Sequence, residues 1–112
     1  MNEVMEYLKS CGTFYLATSE GEQAHVRPLG TVCGFEGKLY FFTNNQKKVY
    51  QQMKKNGKVE ICGMSKGTWI RVEGEVKEDL CREARIAMMD TNTAALSSMY
   101  TVDDNLMTVF YF

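Results

Sequence analysis

The chain has 112 residues, enough for one domain spanning 1–112 and too few for two comfortable ones. Hydrophobic residues make up 45% and charged residues 24%, the balance of a soluble globular protein with roughly 65% of its unfolded surface to bury. A net charge of -1 excludes a global field that would draw it to nucleic acid or acidic membranes, and no apolar run approaches the ~20 residues of a membrane helix.

Val4, Met5 and Leu8 recur near helical spacing, so Met1 to Ser10 is expected as a short amphipathic helix. Thr13 to Ser19 is aromatic and β-branched and reads as a strand. Glu20-Gly21-Glu22 then turns the chain into a second strand, Ala24 to Cys33. Pro28 cannot donate a ladder hydrogen bond, which places it at an edge, a bulge or a strand opening. Gly34 to Gly37 forms the next turn, and Lys38 to Thr43 the third strand.

Asn44 and Asn45 offer caps for a helix to about Lys55, with Val49, Tyr50 and Met53 on its buried stripe. Lys58 to Met64 and Thr68 to Lys77 read as a strand pair, with Gly74 expected as a bulge. Asp79 is expected to cap a helix from Leu80 to about Met89. Asp90 to Asn105 reads as a short helix plus loop, and Met107 to Phe112 as a last strand. Short strands at regular spacing, with helices between, predict an α+β fold built on an antiparallel barrel.

Cys11, Cys33, Cys62 and Cys81 form no C-x-x-C pair, and only His25 could join them at a metal, so no metal site is expected. Met1 to Lys9 is charged and is not a secretory core, which favours reduced thiols and a cytoplasmic setting.

The stretch Phe42-Thr43-Asn44-Asn45-Gln46-Lys47-Lys48 runs from a strand end through a polar turn into a helix start. Free amides and the helix dipole attract an anion there, whereas lysines oppose the dipole. A phosphate would resolve that conflict; a solvated face for Lys47 and Lys48 is the plainer alternative. Arg27 is shaped to hold phosphate through two hydrogen bonds, or else to sit at the surface in a salt bridge. His25 shares its strand face and reads as a base, a ligand, a neighbour of a bound cofactor or a structural residue. Trp69 could wall a flat ring system or pack at an interface.

TFYLAT at 13–18, HVRPLG at 25–30, LYFFTNNQKKV at 39–49 and WIRVEG at 69–74 together resemble the pyridoxamine 5'-phosphate oxidase-like family of split barrels. The nearest flavour is its short general-stress and nitroimidazole-resistance branch. The resemblance covers about residues 10 to 112. It implies a split β-barrel with flanking helices and a homodimer with flavin mononucleotide (FMN) at the interface. Arg27 and Lys48 would hold the phosphate, with Gln46 and Lys47 lining the turn beside it. Phe42 and Thr43 would meet the flavin, and Pro28, Leu29 and Gly30 would run beside its ring. Trp69 would approach from the partner subunit.

The resemblance also implies electron transfer to or from a small molecule. The family alternatives are a non-catalytic flavin-binding or sensing module and haem or deazaflavin binding. The further segment of true pyridoxamine phosphate oxidases, with its tryptophan and arginine positions, has no counterpart before Phe112. Oxidation of vitamin B6 is therefore not expected. The family's serine-arginine before the phosphate lysine is Gln46-Lys47 here, which keeps a charge and loses the planar fork. No residue stands out as a catalytic acid or base.

Overall fold

The computed structural model describes residues 2–112; Met1, expected to open the first helix, lies outside them. The elements run α1 (Asn2–Cys11), β1 (Phe14–Glu20), β2 (Gln23–Leu29), β3 (Val32–Phe35), β4 (Lys38–Asn44) and α2 (Lys48–Lys55). They continue through β5 (Lys58–Ser65), β6 (Thr68–Glu75), β7 (Lys77–Asp79), α3 (Arg82–Thr91), α4 (Thr93–Leu96) and β8 (Met107–Tyr111). The strands build two four-stranded antiparallel sheets, ordered β2-β1-β5-β6 and β3-β4-β8-β7. The fold is the expected α+β split barrel.

Two strands expected to be continuous are broken, and the breaks make the barrel. Ala24 to Cys33 divides at Gly30-Thr31, and Thr68 to Lys77 divides at Val76. Each break hands the chain from one sheet to the other. At the second corner the Val76 amide donates to the Gly57 carbonyl at 2.7 Å. A Cβ on Gly57 would stand 2.5 Å from the Val76 oxygen, so this corner closes only over a glycine. Gly74 is not a bulge. It pairs with Val59 in unbroken register, and its bare backbone makes room for the Phe112 ring, 2.9 Å from where a Cβ would sit. The β3–β4 and β5–β6 hairpins turn on Glu36-Gly37 (φ 51 and 78) and Lys66-Gly67 (φ 50 and 81). Two consecutive positive φ values match the twist of antiparallel strands.

The sheets differ in what covers them. Leu8, Leu16, Phe41, Ile61 and Phe110 lie in the buried core between them. A second buried cluster, with Cys33, Tyr40, Met88, Leu96 and Val109, lies between the β3-β4-β8-β7 sheet and α3 and α4. That sheet is therefore covered on both faces, and Met107 to Phe110 of β8 are all buried. The β2-β1-β5-β6 sheet is covered on one face only, and β1 alternates accordingly. Its outer face leaves Val26 at 69%, Tyr15 at 50%, Met64 at 67% and Trp69 at 60% exposure. The register puts all four on that one face.

Candidate functional site

Asn44 at the end of β4 does not cap α2. Its Oδ1 accepts the Gln46 amide at 2.8 Å, and its carbonyl accepts the Lys47 amide at 3.1 Å. Asn45 spends its side-chain amide on the Asn105 carbonyl at 2.6 Å. With both asparagines used in the turn, the helix begins only at Lys48. Its N-cap is Lys47, which supplies no side-chain hydrogen bond. The first-turn amides are left without a side-chain acceptor, the state in which a helix start favours an anion. Gln52 joins Val49 and Met53 on the buried stripe, while Tyr50 is part-buried against the core and its hydroxyl donates to Glu78 Oε1 at 2.8 Å.

Arg27 projects from the inner face of β2, an edge strand of its sheet. Its Nη1 donates to the Leu16 carbonyl at 3.2 Å and to Thr18 Oγ1 at 2.8 Å. Its Nη2 donates to Gln52 Oε1 at 2.9 Å. All three acceptors are neutral. Burial pushes the guanidinium below its ordinary pKa. Among the described residues neither Arg27, Lys47 nor Lys48 forms an ion pair.

Arg27, Pro28, Leu29, Gly30, Phe42, Thr43 and Lys47 line one groove of about 230 Å³. Thr31, Val49, Ala95 and Leu96 complete its walls. Phe42 is fixed edge-on against Tyr100, ring centroids 4.8 Å apart, and Thr43 accepts the Thr108 hydroxyl at 2.9 Å through its carbonyl. Thr31 marks the corner that sequence reading ran through as strand. Ala95 and Leu96 lie in the stretch read as a short helix plus loop, which α4 bears out, but no site role was read there.

Gln46, Lys48 and Trp69 do not line the groove. Gln46 donates its amide to Asn45 Oδ1 at 2.9 Å, and Lys48 is exposed at the helix start. Trp69 stands on β6, three strands from β2 and so about 14 Å away, with Arg71 5.3 Å from its ring. His25 shares the inner face with Arg27 but sits toward the β1–β2 turn, its Nε2 3.5 Å from Glu20 Oε1, outside the groove.

Asp79 belongs to β7 and does not cap α3 directly. Its Oδ2 accepts the Tyr40 hydroxyl at 2.6 Å and its Oδ1 the Cys81 amide at 2.9 Å, and α3 starts at Arg82. Among the described residues no His, Cys, Asp or Glu cluster is arranged to hold a metal, and no helix is long and apolar enough to cross a membrane.

The profile of one known family, described as pyridoxamine 5'-phosphate oxidase, matches residues 1–99. The chain belongs to the pyridoxamine 5'-phosphate oxidase-like family. Within it, the chain is similar to a NimC/NimA family protein from Clostridium acetobutylicum. The two are 50% identical, cover 100% of this chain and 81% of that one, and superpose with a TM-score of 0.96. A protein from the same organism related to general stress protein 26 is 18% identical, covering 99% of this chain and 80% of that one, at a TM-score of 0.75. An FAD-binding protein from Mesorhizobium loti is 17% identical, covering 98% and 86%, at a TM-score of 0.74. These last two likenesses bear on the fold. No curated protein matches the chain.

Proposed function

We propose that this pyridoxamine 5'-phosphate oxidase-like chain acts as one flavin-binding domain, and that its groove holds FMN with the phosphate at Arg27 and Lys47. The observation that carries the reading is Arg27: a partly buried cation whose acceptors are all neutral. Burying a charge without a counter-charge is costly, and a bound phosphate would supply one. The uncapped start of α2 adds backbone donors beside it. Lys48 and Gln46 stand just outside the groove, where they add charge and a donor amide at the phosphate end. Pro28, Leu29, Gly30, Phe42 and Leu96 give the apolar walls that a flat ring requires.

The groove's 230 Å³ lies below the roughly 300–1,000 Å³ of ligand pockets, so one chain offers part of a site. A second copy docked on the open face of the β2-β1-β5-β6 sheet would supply the rest. Trp69 lies on that face, about three strands from the groove of its own chain, and in such a dimer it would close the groove of the partner. The bound flavin would supply the electron transfer, with a small molecule as acceptor or donor. This chain's residues would bind its phosphate, orient its ring and shield one side of it from water.

A second reading, a flavin carrier or sensor without turnover, is favoured by one feature. Apart from Arg27 and Lys47, the groove is lined by no ionisable side chain. Among the described residues that line the groove no carboxylate, histidine, cysteine or tyrosine is present to serve as a general acid or base. Reduction of bound FMN by a nicotinamide, followed by reoxidation by an added acceptor, separates the two readings; FMN that stays oxidised with every donor favours the sensor.

Titration of the apo protein with FMN and with riboflavin, followed by fluorescence quenching, tests the binding site. Tight FMN and weak riboflavin binding is the expected outcome. Equal affinities would remove the phosphate cradle, and absence of binding to either would remove the flavin reading.

A further inference from the structure

Gln52 is the only polar residue on the buried stripe of α2. Its Oε1 accepts two hydrogen bonds, from the Thr18 hydroxyl at 2.6 Å and from Arg27 Nη2 at 2.9 Å. Thr18 Oγ1 in turn accepts Arg27 Nη1 at 2.8 Å, which closes a ring of three side chains. Thr18 and Gln52 are 4% and 5% exposed. A guanidinium only donates, so Gln52 must present its oxygen to Arg27.

The choice of partner is chemically pointed. A glutamate of the same length, in the same place, would form a charge-assisted pair with Arg27 and would be the stronger holder. It would also cancel the charge. A neutral amide oxygen fixes the guanidinium in place and leaves its positive charge unspent. Thr18, being neutral, does the same from β1. The cation is thus oriented by two groups that cannot compete with an incoming anion.

We infer that Gln52, with Thr18, is the positioning residue of the anion site, and that its neutrality sets the preference of the groove for a phosphorylated flavin. The inference rests on the flavin-phosphate reading given above. Gln52 touches no ligand on this account and acts only through Arg27.

The test compares wild type, Gln52→Glu and Gln52→Met by fluorescence titration of the full chain with FMN and with riboflavin, alongside thermal unfolding of each apo protein. In Gln52→Glu the FMN-over-riboflavin preference is expected to fall about 10- to 100-fold, the range a charge-assisted hydrogen bond supports. Riboflavin affinity and apo stability should stay near wild type. Gln52→Met keeps the charge and loses the oxygen, so its preference should fall by a smaller factor, about threefold to tenfold.

A purely structural Gln52 would weaken both ligands together in either variant, and that result overturns the inference. So does a wild-type preference that survives in Gln52→Glu, or in Gln52→Met should the glutamate variant fail to fold. A wild type with no preference for FMN overturns the phosphate reading itself, and the inference with it.

Discussion

Replacing Arg27 with methionine separates a binding arginine from a structural one. The side chain donates at 3.2, 2.8 and 2.9 Å to Leu16, Thr18 and Gln52. Counted alone, three hydrogen bonds from a charged donor suggest several kcal/mol, at about 1.5–3 each. The structure argues for much less. Thr18 already donates to Gln52 Oε1 at 2.6 Å, so that oxygen keeps a partner when Arg27 is gone. Leu16 lies within the β1–β2 and β1–β5 pairings, away from any chain end. No ion pair is lost, and an uncompensated cation leaves a partly buried place. Methionine fills the volume of the stem with apolar atoms. The net cost to apo stability is therefore expected within about 1 kcal/mol, a shift of about 5 °C or less in the unfolding midpoint. FMN binding loses the cation that faces the phosphate, which is worth about 1.5–3 kcal/mol, or about 10- to 100-fold in Kd. Its dependence on salt should flatten as well. Differential scanning fluorimetry of the apo protein and FMN titration at two ionic strengths measure both. A variant that loses ten degrees or more while FMN affinity holds would refute the reasoning, because Arg27 would then be a structural strut.

Gly57→Ala puts a Cβ 2.5 Å from the Val76 carbonyl oxygen, so the β6–β7 corner must shift; a loss of about 1–3 kcal/mol in urea unfolding is expected, with the ratio of FMN to riboflavin affinity unchanged. Val26→Lys places a charge on the open sheet face, so if the proposed dimer forms, sedimentation should show a shift toward monomer relative to wild type, with FMN binding weakened as the partner's wall is lost. Cys33 is fully buried and its thiol is pushed up to about 11 from 9.0, chiefly by burial, with Lys9 pulling the other way. A raised folded value means that the thiol's contribution to stability is complete below about pH 9 and is lost as pH rises through about 11; alkylation of Cys33 in the native protein should stay slow until that window.

Much of the fold was legible because the local signals were strong and agreed with the global arrangement. The aromatic and β-branched residues of TFYLATS marked β1, and the hairpins announced themselves at Glu36-Gly37 and Lys66-Gly67. The corners were not legible. Val76 carries no turn chemistry, and Gly30 after Pro28 fits a bulge or a strand edge as well as a corner, so each bend is decided by the need to wrap two sheets around one core. Gly57, which allows the second bend, reads in sequence only as a helix stop. The Asn44-Asn45 pair misled for a related reason, since an asparagine able to cap a helix is equally able to close the turn before it. At the site, Arg27 and the 42–48 stretch were visible as residue types suited to phosphate. Their partners were not. Gln52 lies 25 positions from Arg27, and a buried glutamine on a helix has no signature apart from the side chain it meets.

The asymmetry between the two sheets links fold to proposed function. Sequence after β6 is spent on α3, α4 and β8, which bury the β3-β4-β8-β7 sheet on both faces. Among the described residues no element covers the outer face of the other sheet, where Val26, Tyr15, Met64 and Trp69 stand out. The groove lies at the β2 edge of that uncovered sheet, where Pro28 and Gly30 meet the start of α2. A second copy burying the exposed face would stabilise the pair by removing apolar surface from water. By the same contact it would add walls to a groove too small to enclose a ligand alone. Dimer formation and flavin binding should then be coupled, each strengthening the other by the same factor. If so, FMN should drive the monomer–dimer equilibrium toward dimer in dilute protein, and riboflavin should do so less, because it engages the ring walls without engaging Arg27. Equal dimerisation with and without FMN would mean that the exposed face and the groove are independent features.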